Sequence, residues 1–297
     1  MLGAIIGDIV GSVYEFDNHR HKNFEPLFSP SAFITDDTVC TIAVADALTK
    51  GTDPATTLKY WCARYKFIEG WGNRFFDWIE AEVSAPYGSY GNGAAMRISP
   101  AGLLARSLEE AIELSNRMTE ITHNHPEGMR GAAATASAIY WAKTGVPAHE
   151  IRHLVSDVYG YYLSRTVDDI RPTYVFNESC METVPEALTC ALEATSYEDA
   201  LRNAISIGGD SDTVAAIAGG LAEALYGLPT AIADQGWGYV PSDMRQVIQR
   251  LYERSGHPFP VSESLLRVDL IGFDKHNGDS VTGDQPVRQR TQVARIA

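Results

Sequence analysis

Residues 210–226 read DSDTVAAIAGGLAEALY. Two aspartates and two hydroxyl side chains open the run, and an apolar stretch dominated by Ala and Gly follows. That pattern predicts a buried helix whose small side chains let neighbouring helix axes approach closely. The same kind of signal recurs along the chain. Asp53-Pro54 offers an acidic cap with Pro at the first helical position. Ser107 followed by Glu110 has the spacing of a capping box before AIELSNRM. Pro126 and Gly128 precede the Ala-rich run GAAATASAIYWAK (131–143), Ser196 to Asp199 opens ALRNAISI, and Ser242 opens DMRQVIQRLYER. Alternating β patterns are scarce; RPTYVF (171–176) is the best of them and is weak. The reading is all-α, many helices packed around one core.

The chain has 297 residues, 45% hydrophobic and 21% charged, which suits a globular domain. Its net charge of −14 argues against a general duplex-DNA binder, which needs a basic footprint. It does not argue against an anionic small-molecule substrate, because a local site can oppose the global charge. Cys40, Cys62, Cys180 and Cys190 form no CxxC pair and no disulfide framework, so they read as free thiols of a reducing cytosol. The N-terminal stretch MLGAIIGDIVGSVYEF is apolar but lacks a basic region and is interrupted by Asp8 and Glu15. It reads neither as a signal peptide nor as a membrane span. A soluble, cytoplasmic protein with no nucleic-acid or membrane partner is expected. Residues 274–297 are polar, carry a net +1, and read as a flexible or partner-dependent tail after a 1–273 domain.

Three acidic clusters stand out. In Gly7-Asp8-Ile-Val-Gly11-Ser-Val-Tyr-Glu15 the two carboxylates are seven residues apart, about two helical turns, which places them on roughly one face of a helix. Thr35-Asp36-Asp37-Thr38 precedes an apolar run, and Gly208-Gly209-Asp210-Ser211-Asp212-Thr213 opens the helix quoted above. Each of the last two has the composition of an ordinary N-cap. Two such clusters are also a set of hard oxygen donors, suited to Mg²⁺ or Mn²⁺. If the helix starts face each other, four aspartates can hold two ions; no His/Cys set has zinc spacing.

Tyr87-Gly88-Ser89-Tyr90-Gly91-Asn92-Gly93-Ala94-Ala95-Met96-Arg97 reads either as a surface loop or as a loop whose backbone N–H groups approach an anion. It is neither a Walker A loop nor a GxGxxG fingerprint. In Thr122-His123-Asn124-His125-Pro126 the histidines suit a metal or sugar contact, His125 equally a turn. His19-Arg20-His21-Lys22 reads as a solvated loop.

Taken in order, GDIVGSVYEF, TDDT, GNGAAMR, THNHP, SCMETVPEAL and GGDSDT resemble the ADP-ribosylglycohydrolase family over residues 3 to 228. That family includes ADP-ribosylarginine hydrolases, dinitrogenase reductase activating glycohydrolases and J-crystallin relatives. The resemblance implies a compact orthogonal multi-helix bundle with a binuclear Mg²⁺ (or Mn²⁺) centre. By that likeness Thr35, Asp36, Asp37 and Asp212 ligate one ion, and Asp210, Asp212 and Thr213 the other. Glu15 matches the family's mobile glutamate. Tyr90, Gly91, Asn92, Gly93 and Ala94 form a substrate-binding loop that cradles the diphosphate through backbone amides, and His123 contacts the ribose region. The implied activity is cleavage at C1″ of ADP-ribose, releasing ADP-ribose from an ADP-ribosylated protein or a small guanidine. Glu15, Asp36 and Asp37 are the candidates to take the proton of the attacking water.

Release of an O-linked ADP-ribose, from serine or an acetyl group, is the alternative within enzymes. A non-catalytic ADP-ribose-binding or structural relative is the alternative outside them. A prenyl-diphosphate reading fails, because Asp36-Asp37 is followed by Thr38-Val39-Cys40 and not by the third acid of DDxxD. Phosphoryl transfer fits the glycine loop no better than glycosidic cleavage does.

Overall fold

The computed structural model describes residues 1–68 and 70–266, so the expected 274–297 tail lies outside the described residues. The helical body spans Met1–Val261. It opens with α1 (Leu2–Gly11), α2 (Asp36–Lys50), α3 (Pro54–Arg64), α4 (Asn73–Glu80) and two short helices, α5 (Gly93–Met96) and α6 (Ser99–Leu104). Next come α7 (Leu108–Thr119), α8 (Pro126–Lys143), α9 (Ala148–Tyr159) and α10 (Val167–Ile170). The last five are α11 (Cys180–Leu192), α12 (Tyr197–Ile207), α13 (Ser211–Tyr226), α14 (Thr230–Trp237) and α15 (Ser242–Ser255). Among the described residues there is no strand; Gly91 and Ser179 form an isolated antiparallel bridge.

The quoted stretch is the centre of the fold. Every residue of α13 from Ser211 to Ala222 is buried, and the helix packs on α1, α8, α11 and α12. Its closest neighbour is α1, which is buried along its whole length. Gly3, Gly7 and Gly11 recur every fourth residue and so share one face of α1. A Cβ on Gly7 would lie 2.0 Å from the Ala215 carbonyl oxygen, and one on Gly11 2.4 Å from Asp212 Cα. The two backbones therefore touch, and the last of these contacts sets the end of α1 directly on the start of α13.

Three local expectations are corrected. RPTYVF forms no strand: Arg171 and Tyr174 continue from α10 through amides bonded to Val167 and Ile170, and among the described residues no neighbouring strand completes a ladder. Ser107 does cap α7, accepting from Glu110 N at 3.1 Å, but the Glu110 carboxylate reaches back to Arg106 N and its guanidinium, so only half of the box forms. Asp8 and Glu15 do not share a helix face, because α1 ends at Gly11 and the chain turns away before Glu15. Asp53 and Ser196 cap as read, accepting from Thr56 N and Asp199 N, whereas Ser242 is the first residue of α15 and its cap position is Pro241, with no side-chain capping bond.

Candidate active site

Two helix starts meet in the interior. Asp36, Asp37, Asp210 and Asp212 are all buried, as are Thr35 and Thr213. Thr213 Oγ1 donates to Asp37 Oδ2 at 3.3 Å, so the start of α13 faces the start of α2. Glu15 closes the group: its carboxylate and those of Asp210 and Asp212 offer oxygens within 4.8 Å of one another.

Ordinary capping accounts for only part of this. At α2, Thr35 is the cap and accepts from Asp37 N at 3.2 Å. Asp210 stands at the cap position of α13 but makes no capping hydrogen bond; its Oδ2 instead accepts from Asn92 Nδ2 at 2.7 Å. Asp210 is delivered by two consecutive left-handed glycines, Gly208 (φ 68°) and Gly209 (φ 79°). Side chains there would strike the Arg20 guanidinium and the Tyr174 ring, so this turn requires glycine on both counts.

The surrounding residues hold the acids in place. Asp8 turns out to be their template. Its Oδ2 accepts from Thr35 N (3.0 Å), Thr38 N (3.1 Å) and Thr38 Oγ1, and its Oδ1 from Thr35 Oγ1 (2.7 Å). Both oxygens are committed, so Asp8 orders the TDDT turn and is no candidate ligand. The Thr35 hydroxyl proton points at Asp8, which leaves an oxygen lone pair for a cation. Asn18 does the same for the opposite wall. Its Nδ2 donates to the carbonyls of Tyr14, Glu15 and Gly209, and its Oδ1 accepts from Gly209 N at 2.8 Å, tying the Glu15 loop to the GGDSDT turn. Within HRHK only Arg20 and His21 are exposed, and Arg20 is anchored, donating to the carbonyls of Arg171, Tyr174 and Ile207. Neither Asn18 nor Arg20 carried a signal in the sequence, since a polar residue in a polar loop looks the same whether or not it is engaged.

Burial pushes Asp36, Asp37, Asp210 and Asp212 above the ordinary carboxylate range, and at the first three the charge of Asp212 adds to it. Asp8 is raised to about 7, by burial first and Asp212 second. Carboxylates crowded in this way are relieved by protons or by cations. The donor set fits hard divalent ions: all oxygens, with Asp37 Oδ1 buried and without a hydrogen-bond partner.

The glycine loop borders the acids through Asn92, whose amide also donates to Thr183 Oγ1 at 3.2 Å. Its backbone is more occupied than its glycine content suggests. Gly91 N bonds Ser89 Oγ, Asn92 N bonds Glu178 O at 2.7 Å, and Ala94 N bonds Gly91 O. Tyr90 is exposed and packs edge-on against His125. His125 takes the turn reading, its Nδ1 capping α8 at Glu127 N. His123, in contrast, is buried beside Gly91 and Gly93. At the rim Phe16, next to Glu15, stacks on Phe176 with centroids 6.3 Å apart.

The described residues form a helical body with buried acids beside a glycine loop, and comparison with known proteins says which family that is. The sequence profile described as ADP-ribosylglycohydrolase matches residues 1–260, and the chain belongs to that family of glycosidic-bond hydrolases. It is 24% identical to the mouse ADP-ribosylhydrolase ARH3, covering 86% of this chain and 91% of the relative. It is 26% identical to the ADP-ribosylarginine hydrolase Tri1 of Pseudomonas putida (strain GB-1), covering 86% and 77%. A solved structure titled ADP-ribosylglycohydrolase-related protein complex shares the fold, with a TM-score of 0.61 at 24% identity over 86% of this chain and 97% of that one. Among the described residues no helix is long and apolar enough to cross a membrane.

Proposed function

We propose that this protein hydrolyses the bond between C1″ of the terminal ribose of ADP-ribose and a guanidinium nitrogen of an ADP-ribosylated arginine or small guanidine. It does so in the cytoplasm, without nucleic-acid or membrane partners, and releases ADP-ribose. The observation that carries the reading is the convergence of Glu15, Asp210 and Asp212 within 4.8 Å, with Asp36 and Asp37 beside them. The guanidine target is supported by likeness to a relative named as an ADP-ribosylarginine hydrolase. The four buried, free cysteines suit a reducing compartment.

Thr35, Asp36, Asp37 and Asp212 would hold one Mg²⁺ (or Mn²⁺), and Asp210, Asp212 and Thr213 the other. When bound, two such ions supply Lewis-acid polarisation and a template for vicinal hydroxyls. The chain's own residues do the rest. Breaking the C1″–N bond develops oxocarbenium character on the sugar, which a wall of carboxylates stabilises. The attacking water forms the new C1″–O bond and gives its proton to Glu15, Asp36 or Asp37. The departing guanidine nitrogen takes up a proton as it leaves. Glu15, whose backbone carbonyl accepts from Asn18, would shape the site over the ribose.

Product analysis tests this. With Mg²⁺ present, free ADP-ribose should appear from ADP-ribosylarginine and not from ADP-ribosylserine or O-acetyl-ADP-ribose. Release from the O-linked compounds alone would move the assignment to the alternative chemistry, and release from none, with ADP-ribose still bound, to a binding protein.

A further inference from the structure

Arg97, the last residue of GNGAAMR, is a guanidinium only 1% exposed, and among the described residues no carboxylate pairs with it. Its neighbours are neutral. Nη2 donates to Thr122 Oγ1 at 2.6 Å and lies 3.4 Å from His123 Nδ1, the Phe75 ring sits 5.9 Å away, and Nε has no partner. A buried cation of this kind carries a high desolvation cost unless something nearby accepts from it.

The contacts fix the direction of each hydrogen bond. Arg donates and never accepts. The Thr122 hydroxyl therefore receives from Arg97, and its own proton is directed to His123 Nδ1, 2.7 Å away. Two donors, Thr122 Oγ1 and Arg97 Nη2, converge on that one nitrogen. A proton on Nδ1 would face the guanidinium, so Nδ1 must offer its lone pair. Burial, and then the charges of Arg97 and Arg74, hold the ring well below its ordinary pKa, so it is neutral with its single proton on Nε2.

Nε2 faces the floor of the glycine loop. A Cβ on Gly93 would lie 3.2 Å from it, and one on Gly91 3.5 Å. In this loop the amides of Gly91, Asn92 and Ala94 are already engaged inside the protein. That leaves the Gly93 amide, and an acceptor resting over it gains a second donor in Nε2; the buried charge of Arg97 behind the ring favours an anionic acceptor.

We propose that Arg97, acting through Thr122, is a positioning residue that locks His123 with its proton on Nε2, making the ring a fixed donor to an anionic oxygen of the diphosphate over Gly91 and Gly93. The identity of the ligand rests on the proposed function; the relay itself does not. His123 thus reads an acceptor without changing charge, and a group with a donor at this place is rejected.

Nitrogen NMR on ¹⁵N-histidine-labelled, Mg²⁺-loaded full-length protein decides the relay, with the His123 signals assigned by their loss in His123→Gln. The expected spectrum has a pyridine-type Nδ1 and a pyrrole-type Nε2, unchanged from about pH 6 to 8, where an ordinary histidine titrates. Arg97→Met removes the donor that faces Nδ1 and frees the Thr122 hydroxyl to accept from the ring, so it should release the tautomer and weaken ADP-ribose binding about tenfold, with Mg²⁺ affinity kept; Thr122→Ser, which keeps the hydroxyl, should leave both as in the wild type. A proton on Nδ1, an imidazolium near neutral pH, or an Arg97→Met protein with the wild-type ring spectrum would overturn the proposal. The ring spectrum needs no ligand, so it still decides the relay if ADP-ribose fails to bind, a failure that counts against the proposed function instead.

Discussion

Thr213 Oγ1 donates to Asp37 Oδ2 across 3.3 Å, joining two helix starts 176 residues apart in sequence. The bond runs from one acidic cluster to the other and makes them a single site. It also explains why neither cluster can be judged alone. Each has the residues of a well-made cap, and only their apposition leaves more buried carboxylate than capping requires.

The first expected outcome concerns Asp210. Its side chain makes no capping bond, so replacing it should cost α13 little, while the site loses both a proposed ligand and the acceptor of Asn92. Asp210→Ala should retain its helical circular-dichroism spectrum and lose at least about a hundredfold in hydrolysis at limiting Mg²⁺, more than outer-shell changes typically cost. Full activity there would remove Asp210 from the ligand set.

Asp8 acts one layer further out. It touches Thr35 and Thr38 through four hydrogen bonds, all of them accepted. Asn at this place keeps the size but turns a donor toward other donors. Asp8→Asn should weaken Mg²⁺ binding about 10–100-fold, and excess Mg²⁺ should recover activity with little change in substrate KM. Calorimetric titration of the metal separates this from loss of the fold; unchanged Mg²⁺ affinity would refute the template role.

Much of the fold was legible because its helices follow local rules. Asp53 and Ser196 cap as their spacing indicates, and the small residues of 210–226 do mark the buried centre. What was not legible depends on chain direction after a helix ends. Nothing in GDIVGSVYEF shows that α1 stops at Gly11, so Glu15 and Asp8 look like partners when one lines the site and the other props it. Asn92 was readable as a loop residue, but its amide on Asp210 is a contact between segments 118 residues apart, which no local pattern records. In the glycine loop the glycines are visible, and the internal acceptors of the Gly91, Asn92 and Ala94 amides are not.

The crowded acids also set a pH dependence. Asp8 is raised from the ordinary 3.8 to about 7, so the folded state binds this proton more tightly than the unfolded chain. Its contribution to stability is full at low pH and is lost as pH climbs from about 4 to about 7. In chelator-treated protein this falling term should be visible as a drop in Tm across that window. Saturating Mg²⁺ should flatten it and add about 2.7 kcal/mol at a hundredfold excess over Kd, by mass action. Scanning fluorimetry with and without chelator at several pH values measures both; a chelated protein whose Tm rises through the window would contradict the sign.

The last expectation tests the packing that builds the site. A methyl group on Gly7 has no direction in which to move, since it would meet backbone, the Ala215 carbonyl, at 2.0 Å. Neither α1 nor α13 can yield, because both are buried along the contact. Gly7→Ala should therefore raise helix propensity yet destabilise the protein, by at least the 1–3 kcal/mol of an ordinary overpacked core. Any separation of α1 from α13 also moves Gly11 off Asp212, so surviving folded protein should bind Mg²⁺ more weakly. At Gly51, by contrast, the φ of 70° is positive and a Cβ would meet nothing within 4 Å. Gly51→Ala should cost only the backbone strain of a left-handed residue, about 1 kcal/mol, with Mg²⁺ affinity unchanged. Urea denaturation of the two variants side by side, with metal titration of each, separates contact from strain; equal losses in both would show that the α1–α13 contact does not set the site.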